Sequence, residues 1–206
     1  MRYGVRTMKA AGRPGRRGGF TLVEVLVASS LAAVAAGVIF SGFISMQKNF
    51  IAGNSYIDIH RDARMAMDWL AKDIRWAIEL EPSHGAYATS NNCIVLRVPS
   101  VDSAGNVIDV ENDHDFIIFK LKAGSPTELE RIVDAKDGVS GRIDEIRTVA
   151  DNIDSLEFSY NGTELYSVGN FNAVTHLDIV LTTSTTVTGV ELTDTLSTTT
   201  KLRNKE

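Results

Sequence analysis

The sequence has a single cysteine, Cys93, which excludes an internal disulfide framework and any cysteine-rich zinc site. Only four prolines occur in 206 residues, with no low-complexity tract, and that excludes a disordered or fibrous chain. Bases are too few for a nucleic-acid binder: the net charge is −5, and no nucleic-acid partner is expected. Acids are missing from one stretch altogether. Residues 1–19 carry Arg2, Arg6, Lys9, Arg13, Arg16 and Arg17 with no Asp or Glu. The rest of the chain then holds all 26 acids against 15 of the 21 bases, a net charge of −11. Catalytic groupings are lacking as well. His60, His84, His114 and His176 are scattered, none at a recognisable spacing from a Cys or Ser, and no phosphate-cradling glycine loop occurs. Cys93 precedes Ile94-Val95-Leu96 and reads as a small core residue. The expectation is a protein that is not an enzyme and carries no cofactor.

What is present begins at the end of the basic block. Val25 to Met46 is a run of 22 residues without a charge. At about 1.5 Å per residue it would span roughly 33 Å of helix, enough to cross the hydrocarbon core of a bilayer. Lys and Arg stay on the cytoplasmic side, so the chain from Gln47 onward is expected outside. A buried core helix of this length would show a polar face, and this run has none. Glu24 does not fit a plain anchor, because a carboxylate beside an apolar span is costly unless something meets it. Two readings are open: it starts the helix at the positive end of the helix dipole, or it awaits a cationic partner.

The string around it is Arg16-Arg17-Gly18-Gly19-Phe20-Thr21-Leu22-Val23-Glu24. This resembles the prepilin-type cleavage and methylation segment of type IV pilins and type II secretion pseudopilins: a basic leader with Arg13, Arg16 and Arg17, then Gly, Phe, and Glu fifth from the new terminus. The resemblance implies that prepilin peptidase cuts after Gly19 and that the Phe20 amine is methylated. It also implies that Glu24 pairs with the Phe20 amine of a neighbouring subunit. The implied partners are other pilins or pseudopilins, an assembly platform and its ATPase, and the membrane. The implied location is the bacterial inner membrane, single-pass with a cytoplasmic N-terminus, and then a periplasmic or surface filament. A secretory signal peptide competes, with Ala33-Val34-Ala35 as its cleavage site and Ala36 as the new terminus. Glu24 and the apolar residues continuing to Met46 oppose it. The reading from another class is a membrane-anchored or secreted enzyme or binding domain.

No proline lies between Pro14 and Pro82, so nothing stops the helix at Met46. Tyr56, Ile59, Ala63, Met67, Leu70, Ile74 and Ala77 recur in steps of three and four and form one stripe. Arg64–Asp68, Asp68–Lys72 and Arg75–Glu79 are spaced as ion pairs. One helix is therefore predicted from Phe20 to Leu80, ending before Pro82. Met65, Trp69 and Trp76 form a second stripe, read either as a wide buried face or as a contact surface for a neighbour. The organisation is a leader (1–19), a membrane-spanning half (20–46), an amphipathic half (47–81) and a β-rich domain (82–206).

After Pro82 the periodicity becomes alternating, and strands are predicted at 93–98, 115–122, 129–133, 153–160, 174–182 and 192–202. Asn161-Gly162 reads as a hairpin turn, the likelier use of a formal Asn161-Gly162-Thr163 glycosylation sequon. The fold class is α+β, a long helix on a mainly antiparallel sheet. The segment Arg64 to Arg75 and the run Val149 to Tyr160 resemble the large minor pseudopilins, the J-type of type II secretion and the W-type of type IV pili. That resemblance implies a minor subunit, with an adhesive or DNA-uptake tip role as a variant; the lone cysteine fits a minor subunit better than a major pilin with its disulfide-bounded loop. Asp109, Glu111, Asp113 and Asp115, with His114 nearby, are the residues that would suit calcium; the alternative is a solvated acidic face.

Overall fold

The computed structural model describes residues 19–108 and 112–203. The chain divides into two compact units, Met1–Gln47 and Lys48–Glu206. One helix, α1 (Leu22–Trp76), contributes to both. In the first unit every described residue is exposed, including Leu22, Val25, Phe40 and Met46. This half of α1 is long and apolar enough to cross a membrane, with a mean hydropathy of 2.2.

The second unit is α+β. The five-stranded sheet has the order β1 (Glu79–Glu81), β4 (Cys93–Pro99), β5 (His114–Lys122), β6 (Ser125–Asp134), β7 (Glu145–Ala150). The four-stranded sheet has the order β11 (Val190–Lys201), β10 (His176–Val187), β8 (Ile153–Tyr160), β9 (Thr163–Glu164). Every pairing in both sheets is antiparallel. A small hairpin, β2 (Ser83–His84) with β3 (Tyr87–Ala88), stands apart.

The helical stripe packs against both sheets. Ala63, Ala66, Met67, Leu70, Ile74 and Ala77 share one core with Leu96 and Phe119 of the larger sheet and Phe158 and Ile179 of the smaller. Removing such aliphatic and aromatic area from water is the main stabilising term, about 25 cal/mol per Å². The far face of the larger sheet holds a second cluster of Val95, Ile118 and Ile132, against which Tyr87, Cys93 and Phe116 pack.

Four expectations change. The helix ends at Trp76, not Leu80, because the next residues join the sheet: the Ile78 N–H donates to the Arg97 carbonyl at 2.8 Å, and Arg97 pairs with Glu79. That also removes the Arg75–Glu79 pair. Tyr56 lies off the buried stripe, which starts at Ile59 and gains Ala66. Strand β7 was not predicted, because Glu145 to Thr148 are all exposed and show no alternation. Strand β6 begins earlier than expected and β10 ends later, at residues whose pairing comes from neighbours rather than from their own pattern. The Asn161-Gly162 turn forms, with φ of 52° and 73°, between β8 and β9.

Candidate functional site

The N-terminal site is built by the start of α1. Gly19, Phe20 and Thr21 precede the helix, and among the described residues beyond its chain neighbours nothing lies within 4 Å of where a Gly19 side chain would start. Phe20 is 88% exposed, so the Gly19–Phe20 peptide bond sits in open, non-helical chain, as a protease requires. Arg13, Arg16 and Arg17 lie outside the described residues.

Thr21 and Glu24 close the first turn on each other. The Glu24 carboxylate Oε2 accepts from the Thr21 N–H at 2.9 Å and from the Thr21 hydroxyl at 3.0 Å. The Glu24 N–H donates to the Thr21 Oγ1 at 3.2 Å. This is a capping box: two of the four N–H groups that a helix start leaves unpaired are satisfied reciprocally. The arrangement answers in part the question that Glu24 raised, since within a single subunit the carboxylate has its own helix start as partner. Sequence reasoning weighed Glu24 and overlooked Thr21, although Thr-x-x-Glu before an apolar run is the written signal for this cap.

Residues 15–40 match the family model described as the prokaryotic N-terminal methylation motif. The chain carries a prepilin-type processing motif. A comparison with curated proteins finds no match. The matched residues run across Gly19, Phe20 and the first turns of α1, and the motif implies processing by prepilin peptidase and assembly with other pilins. The apolar half of α1 is long and apolar enough to cross a membrane, and together with the motif it suggests membrane anchoring.

The other residues singled out in sequence are used inside the domain. Asp109 and Glu111 lie outside the described residues. Asp113 meets Lys136 Nζ at 2.5 Å. Asp115 is fully buried and accepts from the Ser100 hydroxyl at 2.7 Å, the Ser140 hydroxyl at 2.8 Å, the Lys136 N–H at 3.0 Å and Arg142 at 2.5 Å. Burial raises its pKa, but these four donors together outweigh burial and hold it below the ordinary carboxylate value. Asp113 and Asp115 therefore face protein cations, and among the described residues no group of three or more His, Cys, Asp or Glu side chains could hold a metal ion.

His84 stacks on Phe116 with ring centroids 3.6 Å apart and bonds Asp134 at 2.7 Å. Both line a cleft of about 470 Å³ with Glu81, Arg97 and Lys136. Burial raises the Glu81 pKa, aided by a hydrogen bond that its protonated form donates to neighbouring Glu79, while Arg97 opposes the rise. Cys93 is a core-edge thiol whose pKa burial pushes up to about 11, which keeps it protonated and inert at neutral pH. Of the second helical stripe, Met65 and Trp76 are exposed while Trp69 is half-buried beneath Arg131, Arg147 and Lys72.

Proposed function

We propose that this chain is a minor pilin or pseudopilin, a structural subunit of a type II secretion pseudopilus or a type IV pilus. The observation that carries the reading is the methylation motif over residues 15–40. The stem segment Arg64 to Arg75, similar to the J-type and W-type subunits, supports the minor role. In this reading the peptidase releases Phe20 as the first residue, and the methylated amine keeps its positive charge. Glu24 then has two claimants, its own Thr21 and the Phe20 amine of a neighbour. A cation beside a carboxylate in a low-dielectric setting outcompetes neutral donors, so assembly transfers Glu24 from cap to partner. The subunit supplies shape and register, and the energy comes from the assembly ATPase.

Mass analysis of the N-terminal peptide from native membranes tests the first step. Cleavage after Gly19 with one added methyl on Phe20 is the expected result; a retained leader or a terminus at Ala36 would overturn it. Two variants separate the roles of Glu24. Glu24→Gln keeps a side chain able to cap the helix but loses the charge, whereas Glu24→Ala loses both. Both are expected to be cleaved, and both to fall by about tenfold or more in the sheared filament fraction. Normal assembly of Glu24→Gln would show that the cap alone matters.

A further inference from the structure

A hollow of about 580 Å³ opens beside β8, between the loop that precedes β4 and the short helical turn Leu165–Ser167. Asn91, Asn92, Asp154, Glu157 and Tyr166 line it, and among the described residues no Lys or Arg does. The polar groups on its wall are only half used. Asn91 Oδ1 accepts from the Tyr166 N–H at 3.5 Å, and Asn92 Oδ1 accepts from the Ser90 hydroxyl at 3.0 Å. Among the described residues the NH2 of each amide then has no partner, and neither do the Asp154 and Glu157 carboxylates.

A peptide group of β8 joins them. The Phe158 N–H donates to the Asn91 carbonyl at 2.7 Å, on the edge of β8 away from β10. In an antiparallel ladder, residues two apart turn their N–H and C=O to the same edge. Phe158 pairs with Ile179 and Leu156 with Leu181, so the Leu156 N–H and C=O lie on the Asn91 edge as well. β9 covers that edge only at Ser159 and Tyr160. Leu156 is 3% exposed and lines the hollow, yet neither group has a partner among the described residues. Shielded peptide groups left unpaired are rare and costly, so water or a ligand must meet them.

We propose that the hollow binds an N-acetylated sugar of a glycan chain. An acetamido group carries one N–H and one C=O, the complement of Leu156: it donates to the Leu156 carbonyl and accepts from the Leu156 N–H. Ring hydroxyls donate and accept at once, which suits amide NH2 groups set beside carboxylates. The Tyr166 ring, 67% exposed, can cover the apolar C–H face of the sugar. An added peptide strand would need a run of backbone pairs. Here Asn91 takes the Phe158 N–H and Asp154 drops out of the pairing at a bulge, so one pair is open. An amine would face the two NH2 donors as well as the carboxylates, a mismatch that hydroxyls avoid. Two carboxylates without a cation also disfavour an acidic sugar. The site lies within the second unit and does not rest on the pilin reading.

The test uses the full chain in lipid nanodiscs prepared without sugar detergents. Hydrogen exchange of the Leu156 amide is followed with three probes at matched concentration. They are triacetylchitotriose, cellotriose, which has hydroxyls in place of the acetamido groups, and N-acetyl-dialanine. Saturating triacetylchitotriose should slow the exchange by about tenfold, and the other two should leave it unchanged. Tyr166→Ala and Glu157→Gln alter exposed side chains, so the unfolding midpoint should hold while each weakens trisaccharide binding by about tenfold. The proposal is overturned if triacetylchitotriose does not slow Leu156 exchange, or if cellotriose or the dipeptide slows it as much. It is equally overturned if both variants bind the trisaccharide as the parent does.

Discussion

Asp115 shows what a single residue can fix. Its carboxylate is fully buried, ties Ser100, Ser140, Arg142 and the Lys136 backbone together, and has no solvent to replace them. Asp115→Ala leaves Arg142 without its carboxylate, at a cost of about 3–5 kcal/mol in urea unfolding. The pKa of Asp115 is depressed in the folded state, so its contribution is fully present above the unfolded carboxylate value of about 4. It should be lost as pH falls through the lower folded value, so the stability difference between the parent and Asp115→Asn should be full near neutral pH and shrink as the pH is lowered, which acid titration of stability would reveal. Thr188 is the opposite case. It holds φ of 52° in the two-residue loop between β10 and β11, a left-handed position that β-branched residues resist. Thr188→Asn should raise stability by about 0.5–1 kcal/mol, measured by the same unfolding curve. Asp115 was legible in the sequence only as one acid among four. What made it structural was Arg142, distant in sequence and brought over by the Lys136–Arg142 loop.

For the elements, the buried stripe of α1 was readable because helix periodicity is local, and Ile59 through Ala77 occupy the core as their spacing requires. Tyr56 shares the spacing but not the burial, at 46% exposed, while Ala52 and Ser55 beside it are half-buried. Leu70→Ala should therefore cost about 2–5 kcal/mol, and Tyr56→Ala less than about 1 kcal/mol, in the same denaturation assay. Strands with one face in the core, such as β8 and β10, announced themselves by alternation. β7 did not, since an edge strand with four exposed residues carries no such pattern. The end of the helix was misread for a related reason. Residues 77–80 can continue a helix, and the pairing of β1 with β4 outweighs that preference.

At the scale of the whole molecule, the two units differ in surface: the first is apolar throughout its helix, the second has its own core. Among the described residues nothing covers the apolar surface of the first unit, which with the motif suggests membrane anchoring. Alkaline carbonate extraction should leave the full chain in the membrane pellet, and its release into the supernatant would contradict the anchor. The second unit has its own core and turns water-exposed strand faces outward.

The sequence by itself determined the processing motif, the apolar span and the α+β class. Each is written in contiguous residues, and a peptidase or a bilayer reads the chain locally. The tertiary structure alone decided that Asp115 is a buried tie and that, among the described residues, β7 and β11 end their sheets. Those outcomes depend on which side chains and strand edges still lack a partner after folding, and that follows from how distant segments pack.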